Sequence, residues 1–135
     1  MSLTFPFRKE TSALFGEIFR PTAEVSFWSK KFNLWDEITM IVDTGADYTV
    51  LPYYLADEFG IDLENEGEPF YTQGVGGKER IYVVKNQKVK LGEWAREIPV
   101  GFLERDTIPP LMGRHLFLET FETCFSKTGE VHFNE

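Results

Sequence analysis

Asp43 stands where an apolar run ends. Ile38-Thr39-Met40-Ile41-Val42 leads straight into Asp43-Thr44-Gly45-Ala46-Asp47, and Tyr48-Thr49-Val50-Leu51 resumes β character behind it. An Asp-Thr-Gly tripeptide on its own is an ordinary turn signal. A surface turn, however, has no need of Ile-Val before it and Val-Leu after it. The pattern predicts a carboxylate carried to the end of a buried strand, where burial and neighbouring charge act on its ionisation. A carboxylate so placed can take a proton from water or give one to a substrate oxygen.

Two further clusters lie downstream. Gly74-Val75-Gly76-Gly77 interrupts two β-rich runs, as the turn of a hairpin does. Leu111-Met112-Gly113-Arg114 follows Pro109-Pro110 and precedes a stretch, roughly 114–121, that reads as helix. Other chemistries lack support. His115 and His132 have no metal-ligand spacing, and no phosphate loop is present, so neither metal nor cofactor is expected. Cys124, the one cysteine, sits among Phe121, Thr123 and Phe125 and reads as a buried, inert thiol.

Taken in order, these motifs resemble the retropepsin-like aspartic proteases. Asp43-Thr44-Gly45-Ala46-Asp47 is similar to the family's active-site loop. The glycines at 74, 76 and 77 resemble its flap tip, and Leu111-Met112-Gly113-Arg114 resembles the motif before its helix. The resemblance spans about residues 16–133. It implies an aspartic endopeptidase with Asp43, Thr44 and Gly45 as catalytic residues. Ala46, Asp47, Gly74, Val75 and Gly76 would contact an extended polypeptide substrate. Gly113 and Arg114 would give structural support, Arg114 by pairing with Asp47. Thr44 would brace two active-site loops across a twofold axis, and the Gly45 carbonyl would receive a substrate amide. Ala46 has no hydroxyl where many two-lobed relatives carry Ser or Thr, which implies an optimum nearer mildly acidic or neutral pH.

One carboxylate hydrolyses a peptide poorly. Two brought together share a proton, because like charges at close range do not both ionise easily. The chain carries one such motif and no internal repeat. A working site therefore needs a second copy, and a homodimer with both copies of Asp43 at the axis is the natural solution. The alternative reading is a non-catalytic peptide-binding module on the same fold. In retroviral members the chain termini interleave between subunits; residues 1–17 have no clear family equivalent and are expected to be an N-terminal extension.

The elements that must hold these motifs read as an all-β domain, a small closed barrel with one short C-terminal helix. Strands are expected over about 5–9, 18–28, 34–42, 48–51, 88–91, 97–103 and 129–133, a hairpin over 69–84 turning at the 74–77 glycines, and a short helix over 53–59 ending at Gly60. The acidic 60–68 segment reads as a solvated loop. Val50, Ile81, Tyr82, Ile108 and Leu111 are candidates for pocket walls or for core. The 135 residues fit a single domain spanning 1–135. A net charge of -8 argues against nucleic acid and anionic membranes as partners. One cysteine, no secretory leader and no long apolar run suit a cytoplasmic setting.

Overall fold

The computed structural model describes residues 1–74 and 77–135. Strands dominate, because apolar and β-branched residues alternate in short runs separated by Gly, Pro and Asn turns. In chain order they are β1 (Ser2–Pro6), β2 (Arg8–Ser12), β3 (Gly16–Arg20), β4 (Thr22–Ser29), β5 (Leu34–Val42) and β6 (Thr49–Pro52). Two short helices follow, α1 (Tyr54–Glu58) and α2 (Leu63–Glu66). Then come β7 (Glu68–Gly74), β8 (Gly77–Leu91), β9 (Trp94–Leu103), β10 (Leu111–Met112), β11 (Glu122–Phe125) and β12 (Glu130–Asn134).

The main sheet runs in the order β4-β5-β10-β6-β9-β8-β7. Strand β4 also pairs with β8, at Ser26–Lys90 and Phe27–Val89, so the ladder returns toward its first strand. Inside, Phe27 stacks on Phe59 at 5.3 Å, and Phe102 meets Phe59 edge-on at 6.4 Å. All three rings are fully buried. Fully burying such a ring contributes about 1.5–3 kcal/mol, so this cluster fixes the sheet's curvature more firmly than any surface pair. Ile81 and Tyr82 are buried too.

The chain ends form a second sheet, β1-β12-β11, within one subunit. Phe5 packs edge-on against Phe133 at 5.9 Å, and Phe133 against Phe121 at 5.7 Å. Residues 2–6 are thus integrated through β12. The part of 1–17 that stands apart belongs to the β2–β3 hairpin, where no residue from Arg8 to Arg20 is buried.

Four expectations need correction. The helix over 114–121 is absent: Leu116 takes φ 57°, which breaks the helical path, and only a 3-10 turn forms at Leu118–Thr120. Cys124 is exposed, because β11 lies at the edge of the terminal sheet. The 60–68 segment contains α2, with Leu63 buried and the Asp62 carboxylate accepting the Glu64 N–H at 3.2 Å as a cap. The outgoing hairpin arm expected over 80–84 and the separate strand expected over 88–91 share β8, which runs on through Lys85-Asn86 by a register shift between Val84 and Gln87.

Candidate active site

Three strands from distant parts of the chain hold the Asp43 loop. β5 delivers the chain to Asp43 and β6 carries it away. β10 lies between them, parallel to β5 (Leu111–Ile41, Met112–Val42) and antiparallel to β6 (Leu111–Val50). The loop is closed by backbone. Asp43 N–H donates to the Met112 carbonyl at 3.0 Å, and Ala46 N–H to the Asp43 carbonyl at 3.1 Å. Arg114 N–H donates to the Ala46 carbonyl at 3.0 Å, and His115 N–H to the Asp47 carbonyl at 2.8 Å. An Asp-Gly pair suits the remaining bond: Gly45 N–H donates to Asp43 Oδ1 at 3.0 Å. One oxygen of that carboxylate is therefore oriented by its own loop. Asp43 is half-buried, less enclosed than the apolar run ahead of it suggests, and Thr44 and Gly45 are exposed.

Gly113 is the tightest point. A Cβ there would lie 2.2 Å from both the carbonyl carbon and oxygen of Tyr48, and 2.7 Å from the Thr49 nitrogen. Backbone cannot yield to that degree, so only glycine lets the 111–114 strand cross the loop. Its N–H donates to the hydroxyl of fully buried Thr49 at 3.2 Å. The Arg114 guanidinium pairs with the Asp47 carboxylate, as the resemblance implies. With Asp47 81 % and Arg114 52 % exposed, the pair adds at most about 1 kcal/mol to stability and acts mainly by orienting Asp47.

Sequence reading missed two participants, Thr49 and Tyr48. Thr49 looked like an unremarkable strand residue; its signal was a hydroxyl in an otherwise apolar run. Tyr48 packs over Gly101, where a Cβ would come within 2.9 Å of the ring. Burial, and after it the negative charge of Asp47, pushes the Tyr48 phenol up, so it stays protonated as a donor. Tyr48, Val83, Pro99, Val100, Asp47, Lys85 and His115 line a recess of 460 Å³ beside the loop. Its walls are mostly apolar, with charged groups at the rim, the usual character of a side-chain pocket.

The two arms of the expected hairpin pair. β7 and β8 pair antiparallel from Glu68–Val83 to Gly74–Gly77. Gly74 ends the first arm, while Val75 and Gly76 lie outside the described residues. Arg80 ties the arms together: its guanidinium donates to the hydroxyls of Tyr71 on β7 at 3.0 Å and Tyr82 on β8 at 3.1 Å. The Tyr71 bond first, and the Tyr82 bond after it, raise the Arg80 pKa. Among the described residues no group of three or more His, Cys, Asp or Glu could hold a metal, and no helix is long and apolar enough to cross a membrane.

Residues 32–116, which contain the loop, the hairpin and the 111–114 crossing, match the family described as aspartyl protease. A solved retropepsin-like aspartic protease from Rickettsia conorii is similar in fold, with a TM-score of 0.70 over 98 % of each chain at 18 % identity. That likeness speaks for the fold. No curated protein sequence matches.

Proposed function

Because the chain belongs to the aspartyl protease family, we propose that it is an aspartic endopeptidase whose site is completed by a second copy of itself. The observation that carries this is the Asp43 loop: one half-buried carboxylate with one oxygen held by Gly45 N–H, on a chain that has a single such motif. In a twofold dimer, Asp43 and Asp43 of the partner subunit would share one proton. The ionised member takes a proton from a water held between them as that water attacks the scissile carbonyl carbon. The protonated member donates to the carbonyl oxygen. The tetrahedral species then collapses as the nitrogen is protonated, and no covalent enzyme intermediate forms.

The neighbours have separate tasks. Thr44, exposed in the single subunit, would meet its twin across the axis and hold the loops in register. The Gly45 carbonyl and Asp47 would receive main-chain amides of an extended substrate, with Arg114 keeping Asp47 in place. The β7–β8 hairpin would close over that substrate through Gly74, Val75 and Gly76, so that the peptide lies as an added strand between lid and loop. Gly113 holds the loop and touches no substrate. On this reading the ring of strands from β4 round to β8 is the small barrel of the retropepsin type, all of 1–135 is one domain, and the protein works in the cytoplasm.

The test is cleavage of a diverse peptide mixture by wild type and Asp43→Asn, from acidic to neutral pH, with products read by mass spectrometry. Loss of a general acid–base group costs about 10²–10⁴ in rate, so wild-type cuts should disappear from the variant. The optimum should fall at mildly acidic or neutral pH, since Ala46 supplies no hydroxyl to the pair. A confirmed dimer that makes no Asp43-dependent cut at any pH would instead identify a peptide-binding module on this fold.

A further inference from the structure

The β2–β3 hairpin has no work to do inside its own subunit. Among the described residues its five-residue strands pair only with each other, from Arg8–Arg20 to Ser12–Gly16. Its ion pairs, Lys9–Glu17 at 3.0 Å and Arg20–Glu10, are both internal. A free two-stranded ribbon is marginal in water, and its bare edges invite pairing. Yet its tip is shaped and apolar. The Ser12 hydroxyl accepts both the Leu14 and the Phe15 N–H at 3.2 Å, which sets the turn. Leu14 is 85 % exposed and Phe15 79 %, with Phe19 exposed behind them. A ribbon that ends in a leucine and a phenylalanine facing water is built to be covered.

The root of the hairpin says by what. Pro21 follows β3 directly, and its carbonyl accepts the Val42 N–H at 2.9 Å, one residue before Asp43. The hairpin therefore springs from the edge of the active-site loop, the end that faces the other copy if the two Asp43 carboxylates meet. Five residues at about 3.3 Å each carry the tip roughly 17 Å from that root, enough to leave its own subunit. Charge agrees: Arg8, Lys9 and Arg20 against Glu10 and Glu17 leave the hairpin at +1, on a chain whose net charge is -8. An acidic second copy attracts such an arm. The chain's own ends, meanwhile, are engaged with each other in the β1-β12-β11 sheet.

We propose that the β2–β3 hairpin is a dimerisation arm: the Leu14–Phe15 tip of each copy docks on the other copy beside its Asp43 loop and so holds together the two subunits that the site needs. This rests on the two-subunit reading of the site. The test is sedimentation of wild type and of Leu14→Asp/Phe15→Asp across a concentration series, with Asp43-dependent cleavage measured on the same samples. Both side chains are exposed, so the double variant should keep the wild-type circular dichroism spectrum. Its dimer dissociation constant should rise by about tenfold or more, the scale of losing a central apolar anchor at an interface. Cleavage should return when two variant copies are joined by a flexible linker, which replaces the arm with a high local concentration. A double variant that dimerises like wild type overturns the proposal and leaves the peptidase reading untouched. So does one that dimerises normally but cuts poorly, which would make the tip a substrate contact. A wild-type chain that is monomeric throughout overturns it as well. A wild-type dimer weakened by the double substitution, but with no Asp43-dependent cleavage, upholds the arm and refutes the peptidase.

Discussion

The Asp43 loop and the β2–β3 hairpin both reverse the chain within a few residues, and opposite means hold them. The loop is fixed by partners far away in sequence: Met112, Arg114 and His115 supply its backbone bonds, and the crossing leaves no space for a Cβ at 113. The hairpin is fixed by itself, through its own ladder, Ser12 and two exposed ion pairs. Rigidity in the first case comes from over-determination, which would pre-organise Asp43 for the chemistry proposed for it. In the second it comes from local turn chemistry, which can shape a ribbon without anchoring it.

One substitution type separates the two regions sharply. Gly113→Ala drives a methyl into the Tyr48 carbonyl, so it should cost more than about 4 kcal/mol in denaturant unfolding or prevent folding outright. Smaller, but still confined to the loop, is Thr49→Val. It leaves the buried Gly113 N–H without its acceptor and should cost about 1–3 kcal/mol in the same assay. Gly16→Ala is the matching change in the hairpin. Gly16 has φ 72° and nothing within 4 Å of its missing Cβ, so only the left-handed backbone is penalised, by about 1–2 kcal/mol. That penalty should appear as local fraying in hydrogen exchange of residues 8–20, with the global unfolding midpoint nearly unchanged. Least of all, removing one charge from either region, by Arg114→Met or Lys9→Met, should shift global stability by under about 1 kcal/mol, since both ion pairs are exposed. If Arg114→Met proved as costly as Gly113→Ala, the view that backbone fit holds the loop would be wrong.

The same division explains what could be read from sequence. The run into Asp43 and the glycine hairpin were legible because β-branched strands and turn residues are local signals. α1 and its end near Gly60 were legible for the same reason. The place of β10 was not: two residues, Leu111 and Met112, carry no periodicity, and only the fold reveals that they part β5 from β6. Thr49 and Tyr48 were missed because their partners, Gly113 and Gly101, lie more than 50 residues away. The helix expected at 114–121 failed since no glycine or proline marks the turn of backbone at Leu116. Cys124 was misplaced because the register of β11 against β12, with Cys124 opposite His132 at the sheet edge, decides its exposure and its aromatic neighbours do not.

The crossing of β10 between β5 and β6 also sets a timetable. Gly113 N–H reaches Thr49 across 64 residues of chain, so the Asp43 loop cannot acquire its partners until that length has been made. At about 5–20 residues per second, synthesis leaves the Asp43 segment waiting roughly 3–13 s after it leaves the ribosome's catalytic centre. Such distant pairing is also slow to find once the chain is free. A nascent or C-terminally clipped chain therefore carries the Asp-Thr-Gly triplet without a formed site. The order of the strands thus works as a built-in delay: the Asp43 loop takes its shape only after the 111–115 segment has been made.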